Sequence, residues 1–103
     1  MFDSQKKYKR ATKWLENNIP QYSNSQVIKD FLIVFEDQFG VPIENLKTDH
    51  NLLNDLKLDE TEPQELCMAL AEAEICYLHQ DFIKKYMNFE DLIELVNQSK
   101  CEL

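Results

Sequence analysis

Few side chains in this 103-residue sequence are equipped to act on a substrate. Cys67, Cys76 and Cys101 offer thiols, but they are odd in number and lack Cys-x-x-Cys spacing. Neither a disulfide framework nor a tetrahedral zinc site is expected, and the thiols read as buried or idle. His50 and His79 are the only imidazoles; sequence position matches neither to a serine or cysteine nucleophile, so solvated or hydrogen-bonding roles are expected. Asp49, Asn51, Asp55 and Glu60 fall at positions 1, 3, 7 and 12 of a calcium-loop spacing. Leu53 and Asn54 then occupy the fifth and sixth positions, where a ligand and a glycine are needed, which excludes a true EF-hand and leaves weak divalent binding by the acidic surface open. A chain with one glycine holds no phosphate-cradling glycine loop. No catalytic residue, metal ligand or cofactor is expected, and the chain reads as non-enzymatic.

Charge is the stronger signal. Asp55, Asp59, Glu60, Glu62, Glu65, Glu72 and Glu74 form an acidic stretch interrupted by Lys57 alone. It reads either as a solvated helix face or as a docking face for a basic protein partner, with Asp59, Glu60, Glu62, Glu65 and Glu72 as the contact residues and Glu62 and Glu65 facing solvent. Clustered like charges cost stability unless something else compensates, which speaks against the plain solvated face. Of the net charge of −8, residues 1 to 20 contribute +3, through Lys6, Lys7, Lys9, Arg10 and Lys13 against Asp3 and Glu16, and the remainder carries −11. Such a body repels phosphate backbones, so nucleic acid is not expected as a partner. The basic start reads as a solvated helix face.

The elements that must position these residues are helical. A first helix is expected over residues 4–18, with Tyr8, Ala11, Trp14 and Leu15 at helical spacing and Ile19-Pro20 ending it. Trp14, a large aromatic on that stripe, is expected against the core. A second helix, over 25–39, carries Val27, Ile28, Phe31, Leu32, Phe35 and Phe39 inward; Gly40 follows in the place of a left-handed cap, and Pro42 prevents continuation. Between Gly40 and Asp59 a long loop is anchored by Val41, Ile43, Leu46, Leu52, Leu53, Leu56 and Leu58. A third helix is expected over 62–77, with Leu66, Ala69, Leu70, Ala73 and Tyr77 on one side and Thr61-Glu62-Pro63-Gln64 as a capping box. A short helix near 79–85 and a last helix over 89–98, capped by Asn88, complete the set. No strand alternation is present. Phe31, Leu32, Phe35, Leu66, Leu70, Leu92, Ile93 and Val96 are expected to share one core.

With 44% apolar residues, the chain fits one small all-α domain, in which residues 1–22 add a basic amphipathic helix and link to a bundle over 23–103. No run of about 18 apolar residues and no secretory signal is read, so no membrane span is expected and a cytoplasmic location is.

Four landmarks carry a family resemblance. Gln38-Phe39-Gly40-Val41, the run from Asn51 to Asp59, the run from Glu65 to Glu72, and Asn88-Phe89-Glu90-Asp91-Leu92 resemble, in order and spacing, the landmarks of acyl carrier proteins over roughly residues 25–98. The resemblance implies a bundle of three longer helices and one short one. It also implies that the helix after Asp59 presents carboxylates to basic patches on partner proteins, enzymes of acyl metabolism among them. In that family the serine after the aspartate receives phosphopantetheine, and here the position is Glu60. A carboxylate forms only a labile mixed anhydride with phosphate, so no persistent arm is expected. Thr61 has a hydroxyl, but it is secondary, crowded by its methyl and turned about 100° around the helix. The expectation is therefore an acyl carrier protein-like module without its cofactor, serving as an interaction or regulatory protein. The alternatives are a carrier modified at Thr61 and an acidic immunity-type antagonist of a basic partner.

Overall fold

In the computed structural model, which describes residues 2–59, 61–84 and 86–99, four α-helices enclose one core. They are α1 (Phe2–Asn18), α2 (Gln26–Phe39), α3 (Glu62–Glu72) and α4 (Phe89–Gln98). Single 3₁₀ turns at Pro20–Tyr22, Ile43–Asn45 and Gln80–Phe82 punctuate the connections. The described residues contain no strand; an isolated bridge joins Asn51 to Asn88.

The apolar stripes pack as their spacing demands. Phe31, Leu32, Phe35, Leu66, Leu70, Leu92, Ile93 and Val96 are fully buried in one cluster with Ala11, Trp14, Leu15 and Ile19 of the first helical segment. Phe89, at the start of α4, is the hub: its ring lies 5.9 Å from Trp14, 5.8 Å from Phe31 and 5.2 Å from Phe35. Aromatic pairs at such offset or edge-on geometries add about 0.5–1.5 kcal/mol each beyond the area they bury. The Trp14 indole N–H donates to the Leu46 carbonyl at 2.9 Å, so its polar edge is satisfied inside the core.

Ion pairs fasten α1 to α2. Arg10 donates to both carboxylate oxygens of Glu36 and to both of Glu44, and Lys7 meets Asp37 at 3.2 Å. Glu36 also accepts from the Ile43 backbone at 3.0 Å, which ties the start of the long loop to α2. The basic helix face is thus only in part a solvated one.

Caps set the helix ends. The Ser25 side chain accepts from Ile28 N–H at the start of α2, and Gly40 at φ +73° ends it, its N–H on the Glu36 carbonyl. Asn88 and Asp91 form a reciprocal capping box on α4. The loop is docked by Ile43, Leu46, Leu52, Leu56 and Leu58, all buried, and is pinned to the start of α4 by bonds from Leu52 to Met87, Phe89 to His50 and Glu90 to Thr48. Val41 and Leu53 are only half-buried.

Three expectations are corrected. The third helix stops at Glu72 rather than at residue 77, because the chain turns there in a Schellman motif. Glu74 adopts φ +58°, its N–H bonds the Ala71 carbonyl, and Ile75 N–H reaches back to the Leu70 carbonyl. Tyr77, expected inward, consequently lies outside the helix and 51% exposed, and Ala73 is exposed too. The short helix near 79–85 is a single 3₁₀ turn: the His79 imidazole accepts from Asp81 N–H, and the chain then extends at Ile83 to seat that side chain in the core. The capping box at Thr61 does not form. Thr61 has near-helical angles (φ −100°, ψ −26°) instead of the extended ones a cap uses, and its side chain makes no cap bond.

Candidate docking face

α3 and its approach gather the candidate acidic residues. Asp59, Glu65 and Glu72 are exposed, and Glu60 lies outside the described residues. Glu62 departs from expectation. It is half-buried rather than facing solvent, and its carboxylate accepts from Asp59 N–H at 3.2 Å, tying the approach segment to the first turn of α3. A carboxylate there also meets the positive end of the helix dipole, a gain of about 0.3–1 kcal/mol. The Thr61 hydroxyl is exposed and stands 3.5 Å from the same Glu62 oxygen.

Helical spacing assembles the remainder into a stripe. Glu62, Glu65, Met68 and Glu72 recur at three- and four-residue steps, so they follow one face over about 15 Å. No Lys or Arg occurs between Asp59 and Glu72. Among the described residues no cation stands within ion-pair distance of Glu65 or Glu72. Met68, 54% exposed, sits between those two carboxylates, and with Gln38 and Ala69 they form a shallow groove of about 190 Å³. Met68 was missed in the sequence because a methionine on a helix is ordinarily counted toward the core. Its position three residues after Glu65 and four before Glu72 was the available signal.

Against family models, curated proteins and solved structures, the chain finds no match. The stripe must therefore be read from its own chemistry. It has a flexible apolar side chain that can adapt to a partner, flanked by charges of one sign.

The other candidate residues are engaged locally. His50 accepts from Lys47 N–H at 3.2 Å and His79 from Asp81 N–H at 3.1 Å, so each imidazole shapes its own turn. Asn51 accepts from Leu53 and Asn54 N–H, and Asp55 accepts from Asn51 N–H. The calcium-like spacing is thus a loop that ties its own backbone. Cys76 is buried, and burial pushes the half-buried Cys67 thiol up to about 11, far from a reactive thiolate. Cys101 lies outside the described residues. Among the described residues no helix is long and apolar enough to cross a membrane.

A second concavity, of about 560 Å³, lies between α1 and the loop, lined by Arg10, Lys13, Trp14, Asn17, Glu44 and Lys47. Arg10 is held there by Glu36 and Glu44, and Trp14 is only 5% exposed, so the groove presents little free guanidinium and little aromatic floor.

Proposed function

We propose that this chain is a non-enzymatic module that binds a basic protein surface through the acidic stripe of α3. In this reading it is an acyl carrier protein-like bundle without the phosphopantetheine arm, preceded by a basic helix. One observation carries the reading. Glu36 and Asp37 of α2 and Glu44 of the following loop are paired with Arg10 and Lys7, whereas Glu65 and Glu72 face solvent around an exposed Met68. An apolar anchor amid like charges suits a partner with a cationic rim and an apolar socket. The helix order, the long docked loop between α2 and α3 and the single short turn between α3 and α4 support the carrier-like part of the proposal.

The test has two arms. Co-expression with a broad-range phosphopantetheinyl transferase and intact-mass measurement should give the unmodified mass; a stoichiometric increment lost on Thr61→Ala overturns the arm-less reading. A partner captured from the native cell should associate roughly tenfold more slowly with Glu65→Lys/Glu72→Lys, and more slowly as salt shortens the Debye length from about 10 Å at 0.1 M to about 3 Å at 1 M. This pair is preferable to one including Glu62, whose reversal would also remove its bond to Asp59 N–H. Association indifferent to both salt and the reversal would reduce the stripe to a solubilising surface.

A further inference from the structure

Besides Met68, the described surface exposes three large aromatic side chains, Tyr77 (51%), Phe82 (58%) and Tyr86 (80%), all in the irregular segment between α3 and α4. Scattered exposed apolar residues are ordinary, whereas a contiguous patch marks an interaction site. Here Tyr77 and Phe82 join through His79. Burial alternates along the segment, with Cys76 and Leu78 inward, so Tyr77 and His79 share the outer side. The Phe82 ring meets the His79 ring edge-on, with centroids 6.5 Å apart. Tyr77, Leu78 and His79 then line, with Cys67 and Ala71 of α3, a shallow groove of about 280 Å³. Cys67 and Ala71 are one helical turn apart and small, which lets a second backbone come close. Asp81 stands beside the groove, 3.5 Å from the His79 imidazole, and the exposed Glu72 follows Ala71 on α3.

We propose that this aromatic ledge is the apolar half of the docking face, and that the partner it takes is a cationic amphipathic helix. The non-polar side of that helix lies on Tyr77, Phe82 and the Cys67–Ala71 groove, while its lysines or arginines meet Glu72 and Asp81. The inference rests on the acidic-stripe reading and names its partner. Charge selects the sign of the occupant: Asp81 stands beside the His79 of the ledge, and the body outside residues 1 to 20 carries −11. Shape selects the form, since an amphipathic helix laid in an apolar groove presents anchors at the three- and four-residue spacing that the stripe itself follows.

The probe is a synthetic amphipathic peptide of roughly four helical turns, with Leu at i, i+3, i+4 and i+7 and Lys elsewhere. A control peptide replaces every Leu by Ser at unchanged charge. Titrations near 0.1 M salt should show the Leu peptide binding about tenfold or more tightly than the control. Tyr77→Ser/Phe82→Ser should bring the Leu peptide down to the control's affinity and leave the control unchanged. Both positions are exposed, and an unaltered melting temperature verifies the fold. Binding of both peptides with equal strength, or a Leu peptide indifferent to the double substitution, overturns the ledge while the acidic-stripe reading stands. Failure of both peptides to bind removes the two together. Sedimentation of the chain alone covers the remaining occupant: a dimer abolished by Tyr77→Ser/Phe82→Ser makes the ledge a self-interface and overturns the proposal.

Discussion

Arg10 sets how the molecule responds to acid. Its guanidinium lies between Glu36 and Glu44, and its hydrogen bonds hold the Glu44 carboxyl down at about 2, while those carboxylates raise the Arg10 pKa in turn. A carboxyl whose folded-state pKa is depressed stabilises the fold above its ordinary value near 4.5 and loses that contribution as pH falls toward about 2. Arg10→Met should therefore lower the melting temperature at pH 6, and the gap to the native chain should narrow as pH drops through that window. Thermal melts of the two proteins between pH 6 and 2 measure it. A gap that stays constant with pH would assign the loss to packing of the arginine stem instead. The contribution is modest, since the Glu44 side chain is 56% exposed and screened by solvent. Tyr8 shows the same helix pairing by another route: its hydroxyl donates to Asp30, and that bond, with some burial, raises its pKa.

At the scale of elements, two helices end in a left-handed residue, and only one of them advertised it. Gly40 after Phe39, with Pro42 beyond, was legible as the end of α2, because glycine adopts φ +73° without a Cβ penalty. Glu74 takes φ +58° with a full side chain, so nothing in the residue types at 73–77 marked the end of α3, and the apolar spacing running on to Tyr77 predicted a longer helix. What stops α3 is the burial of Ile75 and Cys76 after the turn, a tertiary gain that outweighs local preference. The same limit applies at Thr61, where the letters of a capping box were present, but the residue takes near-helical rather than extended angles and its side chain caps nothing. The aromatic ledge was hidden for a related reason: Tyr77 reads as a buried residue as long as α3 is thought to include it. Gly40→Ala tests the cap that was legible. No atom lies within 4 Å of an added Cβ, so the whole cost is backbone conformation, about 1–2 kcal/mol for an L-residue held there. A chemical-denaturation midpoint that does not move would mean that the turn relaxes to a right-handed alternative.

Across the whole molecule, the first helix belongs energetically to the core even though its charge sets it apart. Ala11, Trp14, Leu15 and Ile19 are buried in the same cluster as the stripes of α2, α3 and α4, and Trp14 both touches Phe89 and caps the Leu46 carbonyl. Leu15 and Ile19 each contribute about 1.5–3 kcal/mol by burial. Losing a core tryptophan costs about 3–5 kcal/mol more. The sum is comparable to the roughly 5–15 kcal/mol by which a domain of this size is stable at all. Removal also takes away Arg10 and Lys7, leaving Glu36, Glu44 and Asp37 as like charges at the start of the loop and on α2. A chain starting at Ser23 should thus lose its cooperative thermal transition, keep part of its far-ultraviolet helical signal and bind hydrophobic dye, as a collapsed state without fixed packing does. Trp14→Ala in the full chain should lower stability by about 3–5 kcal/mol while leaving the transition cooperative, which separates loss of one side chain from loss of the helix. A truncated chain that melts cooperatively within a few degrees of the native one would place α1 outside the folding unit.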